Sequence, residues 1–208
     1  MEEYITVKRA AEESFEEKKS VFIGNISPVT SESEAVAFVN SIKKKYPDAK
    51  HNVYAYVLRE NSIMRYSDDR EPQGTAGLPV LDVLRKSGVC DAAIVVTRYF
   101  GGVLLGTGGL VRAYTNAAKL ALDSAEPCKL ETYVEYQITC SYSDYQRILQ
   151  ILNENSVRID STDFSDSVCV CISYPKKQGV TLLDELTEIT AGKCDIRKKG
   201  EKFDFSAI

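Results

Sequence analysis

The run VVTRYFGGVLLGTGGLVRAY, residues 95–114, places five glycines among branched aliphatics and sets an arginine at each shoulder. Its first residues read as a strand and its last as a helix. A bare strand-to-helix turn does not need that much glycine. One reading is an anion site. A helix starting near Thr107 leaves unpaired backbone N–H groups in its first turn, at the electropositive end of its dipole. Gly106, Gly108 and Gly109 have no side chains to block a ligand there, and Arg98 and Arg112 are spaced to flank one anion. The other reading is structural: Gly101, Gly102 and their followers permit positive φ and close helix–sheet contact. The nucleotide patterns fail at identifiable residues. Gly101 to Gly106 has P-loop spacing, but Thr107 stands where the lysine is required. Gly106-Thr107-Gly108 opens a dinucleotide fingerprint, and Val111 replaces its third glycine. Tyr99 and Phe100 suggest a platform for unpaired bases, although neighbours on a strand point to opposite faces, so at most one is expected to be exposed.

Working outward, AAIVVTR (92–98) is a continuous apolar strand, expected to be buried on both faces. Gly88 ends a preceding helix over about 78–86, and a helix over about 108–124 follows the glycines. Residues 4–29 hold two β-rich runs, YITVKRA and SVFIGNISPV. Ser31 with Glu34 forms a capping box for a helix to about Lys45, which Tyr46-Pro47-Asp48 stops. NVYAYVLR and SIMRY read as strands joined by a turn at Glu60-Asn61. Pro127 and Cys128 mark the boundary between two domains, 1–127 and 128–208. The second runs strand, helix, strand, strand, helix, strand, with Asp166 in the hairpin turn; this βαββαβ order is that of a ferredoxin-like fold. The fold class is α+β.

Side chains suited to chemistry are few. The loop Asp68-Asp69-Arg70-Glu71-Pro72-Gln73-Gly74 resembles a calcium loop at its start, yet Val80 occupies the position that needs a bidentate glutamate. Asp68, Asp69 and Glu71 remain candidates for acid–base work or for pairing with the arginines, against the plainer reading of a capped turn. His51 is the only histidine, hence the only general base of neutral pKa. The six cysteines form no CxxC pair and read as small core residues rather than metal ligands, so no metal and no cofactor is expected.

The formal net charge is −4, and neither half is basic: 16 basic face 17 acidic residues before Pro127, and 10 face 13 from there on. A general polyanion-binding surface is disfavoured, while a local basic patch is compatible with these totals. The start, MEEYITVKR, is acidic where a signal peptide is basic, and Arg98 breaks the best apolar run, so a cytoplasmic chain without membrane spans is expected.

SDDREPQGTAGLPVL followed by the glycine segment closely resembles the IMPACT/YigZ family, whose signature is an arginine, two aromatics and Gly-Gly leading into L-G-x-G-G-L. Here those positions are Arg98, Tyr99, Phe100, Gly101, Gly102, then Leu105, Gly106, Gly108, Gly109 and Leu110. HNVYAY at 51–56 resembles the family's histidine-containing strand, and Lys18, Ser20 and Phe22 its early K-x-S-x-F segment. Arg70 departs from the usual glycine of the acidic loop, and Leu104 from a common lysine. The resemblance implies an N-terminal α+β domain like the second domain of a small-subunit ribosomal protein. It also implies a ferredoxin-like C-terminal domain similar to the last domain of elongation factor G. Eukaryotic relatives regulate translation by restraining a stress-activated initiation-factor kinase, using an additional N-terminal domain absent from this sequence.

The expected function is therefore a cytoplasmic, translation-associated regulator or accessory factor that binds RNA or a ribonucleoprotein partner (the ribosome or a translation factor) through the N-terminal domain, more a binding protein than an enzyme. Two alternatives stand beside it. One is an enzyme for a small phosphorylated or carboxylated ligand, which requires His51 and the acidic loop to converge beside Arg98. The other is a protein-binding module with purely structural glycines.

Overall fold

The computed structural model describes residues 3–206, except the side chains of residues 61 and 178–180. The chain divides into two compact units, residues 4–129 and residues 130–204, with 205–206 grouped with the first.

In the first unit the order is β1 (Tyr4–Val7), β2 (Ala11–Glu17), β3 (Ser20–Pro28), α1 (Glu32–Lys45), β4 (His51–Leu58), β5 (Ile63–Ser67), α2 (Gly77–Ser87), β6 (Ala92–Tyr99) and α3 (Gly106–Ser124). The sheet runs β2-β3-β6-β4-β5, with every neighbouring pair antiparallel. The apolar run at 92–98 is the central strand, buried along its length through Arg98. Ala92, Ile94 and Val96 face the core shared with α2 and α3, where Leu84, Leu110 and Tyr114 pack. Ala93 and Val95 face α1, through Ala35, Val39 and Ile42. Burying such a side chain contributes about 1.5–3 kcal/mol. This is why one short strand holds three helices.

The helix boundaries follow local chemistry. Ser31 accepts from the Glu34 backbone N–H, as a capping residue should. The Glu34 carboxylate reaches one residue further back than in a simple capping box, to the Thr30 N–H and hydroxyl. Gly88 ends α2 in the left-handed conformation. One element was not foreseen. β2 is a largely exposed edge strand whose sequence, AEESFEE, has only Ala11 and Phe15 to pack inward. Its charges suit a sheet edge and hide its strand character from hydropathy.

The second unit contains most of β7 (Pro127–Cys140), then α4 (Tyr142–Glu154), β8 (Arg158–Phe164), β9 (Val168–Pro175), α5 (Gly179–Ile189) and β10 (Asp195–Ser206). Its sheet runs β10-β7-β9-β8, the order of a ferredoxin-like βαββαβ unit. Ile138, Ile148, Leu152, Ile172 and Leu186 make a separate, fully buried core.

Candidate functional site

Strand register builds the site. Arg98 of β6 stands opposite Phe22 of β3 on one side and His51 of β4 on the other. Side chains at paired positions share a face, so phenyl, guanidinium and imidazole form one row beneath α3. The Arg98 guanidinium lies 5.5 Å from the Phe22 ring centre and 5.5 Å from that of Phe100. Its Nη1 donates to Glu71 Oε1 at 2.7 Å, and Arg98 is only 5% exposed. Tyr114 of α3 donates its hydroxyl to the same oxygen at 2.7 Å. Burial, with the Glu71 carboxylate beside it, holds the Tyr114 phenol well above its ordinary pKa. His51 Nε2 lies 4.0 Å from that oxygen. The other imidazole nitrogen, Nδ1, sits 2.9 Å from the Asp69 carbonyl oxygen. A carbonyl only accepts, so Nδ1 carries hydrogen and Nε2 is the atom that gains or loses a proton.

The acidic loop divides its labour. Asp68 accepts from the backbone N–H groups of Gly74, Ala76 and Gly77, at 2.8–3.1 Å, and so caps the start of α2. Asp69 accepts from the Asn52 N–H at 2.7 Å and, through its carbonyl, fixes His51. Only Glu71 turns its carboxylate to the arginine. The convergence required of an acid–base site is therefore present for His51, Glu71 and Arg98, while Asp68 and Asp69 are spent on backbone. Arg70 adopts φ +71°, a left-handed conformation that suits glycine, and anchors it by donating to the Lys50 carbonyl at 2.8 Å.

The glycines split between structure and open space. A Cβ on Gly101 would lie 1.9 Å from the Lys19 carbonyl oxygen, so backbone approach demands glycine there. Gly101 also donates its N–H to Ser20 Oγ. Gly102 and Gly106 take positive φ, at +85° and +72°. Gly108 has no such requirement: its Cβ would meet only Arg112 Nη1, at 3.7 Å. The helix begins at Gly106, earlier than expected, and no side chain caps it. Gly106 and Thr107 line a cavity of about 410 Å3 together with His51, Glu71 and Arg98. Arg112 lines a second, smaller cavity with Lys18 and Gly109. The two arginines thus line different cavities.

Tyr99 points to the opposite sheet face, where its hydroxyl donates to Asp48 and its ring meets Tyr46 edge-on. Phe100, 48% exposed, is the aromatic left at the surface. Composition and spacing missed Tyr114, which looks like one more core residue of α3; the available signal is that a buried phenol needs a hydrogen-bond partner. Lys18 and Lys50 were also missed as neighbours of the glycine segment. Among the described residues no group of three or more His, Cys, Asp or Glu side chains is placed to hold a metal ion, and no helix is long and apolar enough to cross a membrane.

Comparison with known proteins agrees with this geometry. Residues 18–122, which contain every residue of the site, match the Impact N-terminal domain, and residues 138–193 match a domain of unknown function, DUF1949. The IMPACT family member YvyE of Bacillus subtilis is 38% identical over 199 residues, covering 95% of this chain and 91% of that protein. The IMPACT family member YigZ of Escherichia coli is 34% identical, covering 86% and 89%. The Protein IMPACT homolog of Dictyostelium discoideum is 40% identical over 98 residues, 45% of this chain but 28% of that protein. A crystal structure titled only as a hypothetical protein is 32% identical with a TM-score of 0.60, covering 94% of this chain and 97% of that one. Full-length similarity to bacterial members, together with a domain match centred on the Arg98–Glu71–His51 row, places this chain in the IMPACT family.

Proposed function

We propose that this chain is a translation-associated regulator or accessory factor whose first unit binds RNA or a ribonucleoprotein partner through the surface around Phe100–Gly109. One observation carries the reading. Lys18, Lys19, Lys50 and Arg112 surround that segment, all are exposed, and none has a carboxylate within ion-pair distance among the described residues. In a chain of net charge −4, unpaired cations grouped around one loop favour a polyanionic partner. Phe100, Val103 and Leu104, the last 82% exposed, give the same surface an apolar centre. Arg98 is buried and its Nη1 donates to Glu71, so it is not one of these exposed cations.

The test is co-sedimentation with ribosomes across a salt series, comparing wild type with Lys18→Ala/Arg112→Ala. Both side chains are exposed, so the double variant keeps its fold. Loss of two phosphate contacts weakens association and lowers the slope of log K against log salt by roughly 1.4–1.8, at 0.7–0.9 per contact. Unchanged sedimentation and slope would overturn the reading.

A further inference from the structure

The cavity of about 410 Å3 beneath the glycine segment has a polar end and an apolar body. Its polar end gathers Lys50, His51, Glu71 and Arg98 beside the uncapped first turn of α3. The Glu71 carboxylate is the one negative group there, and Arg98 and Tyr114 already satisfy its Oε1. Arg98 leaves its buried Nε without any hydrogen-bond partner among the described residues. Lys50 is exposed and has no ion-pair partner among the described residues, and His51 can take a proton on Nε2. The balance of charge and of orphaned donors is positive, so the polar end favours an anion. The remaining walls are Pro72, Phe100, Leu104, Leu105 and Leu110, which offer nothing to a bare hydrated ion and much to an apolar body.

The geometry points to a binding site for a small organic anion, a carboxylate or phosphate monoester with an apolar body, whose head group meets His51, Arg98 and the start of α3. The head group lies against the imidazole edge that carries the exchangeable proton, so occupancy favours the protonated ring. The site shares Lys50, Phe100 and Leu104 with the surface of the ribonucleoprotein reading but does not rest on that reading, and its test contains no RNA.

His51 is the only histidine in the chain, so imidazole nitrogen signals in a 15N-histidine-labelled sample come from this cavity alone. The full-length protein is titrated with octanoate, phenyl phosphate, inorganic phosphate, and the neutral octanol and phenol. One or both organic anions are expected to shift the His51 Nε2 signal saturably and to raise its titration midpoint by roughly 0.5–1 pH unit. Inorganic phosphate should bind at least about tenfold more weakly, having no apolar body to bury. The neutral compounds should leave the midpoint unmoved. A response to octanoate alone or to phenyl phosphate alone assigns the ligand class, head group and apolar body together. Leu104→Ser, at an exposed wall position, should weaken the organic anions about tenfold and leave inorganic phosphate unchanged. The inference is overturned if neither organic anion moves His51 at millimolar concentration, or if inorganic phosphate binds as tightly as both. Equal midpoint shifts from the neutral compounds would also sink it, and that comparison in wild type decides even if the variant misfolds.

Discussion

At the scale of single residues, the site rests on one carboxylate. Glu71 Oε1 receives Arg98 and Tyr114 within a pocket where both charged side chains are nearly inaccessible. Removing one member of such a pair strands the other, which costs far more than the pair contributes on its own account. Glu71→Ala is therefore expected to destabilise the first unit by about 3–5 kcal/mol in urea unfolding. Tyr114→Phe deletes one hydrogen bond and leaves the ion pair standing, so it should cost only about 1–2 kcal/mol. A second residue sets an alkaline limit. Burial, helped by the neighbouring Asp91 carboxylate, pushes the Cys90 thiol up to about 11 from an ordinary 9.0. The unfolded chain then loses the thiol proton first as pH rises, and the folded chain keeps it longer. The stability it contributes is complete below pH 9.0 and is lost as pH climbs through about 11. Urea midpoints measured across that window should fall less steeply in Cys90→Ala than in wild type. Little of this was legible beforehand. Arg98, His51 and Glu71 were recognisable as candidates by residue type, but their common row depends on strand register, which no local pattern specifies.

At the scale of elements, the two glycines that look alike in sequence behave oppositely. Gly101 lies where the turn before β3 presses its backbone against the loop after β6. Gly101→Ala forces one of them to move and is expected to lower the melting temperature sharply and to shift the amide signals of Lys19 and Ser20. Gly108 sits in the first turn of α3 with open space around it. Gly108→Ala should raise stability by up to about 1 kcal/mol through helix propensity, read as a higher melting temperature. Stabilisation by both substitutions would contradict this division. The glycine segment, which raised the choice between a structural and a ligand-facing role, thus combines a position fixed by close backbone approach with positions that face open space. The same contact explains why the early Lys18–Ser20–Phe22 segment belongs with it. Ser20 accepts from Gly101, Phe22 lies under Arg98, and Lys18 shares a cavity with Arg112.

At the scale of the whole molecule, each unit has its own core: Tyr114, Ile94 and Leu84 in one, Ile138, Ile172 and Leu186 in the other. Ile172→Ala should remove about 2–5 kcal/mol from the second unit, while the His51 imidazole signals of the first stay where they are. Movement of those signals would show that the two cores do not behave separately. Periodicity, caps and glycine placement were enough to read the helices, the buried apolar strand and the βαββαβ order, because these follow from interactions between residues close in the chain; the family was read from the resemblance of its motifs. The edge strand β2 escaped, since its packing residues are two among seven. Sequence alone also established which residue types were available: one histidine, two flanking arginines, one acidic loop. Tertiary structure decided their use. It placed Arg98 and Arg112 at different cavities, assigned Asp68 and Asp69 to the backbone, and brought Glu71 to Arg98 across 27 residues of chain. Those outcomes depend on which strands pair and which helix covers them, and that is settled by burial over the whole sheet rather than by any stretch of sequence.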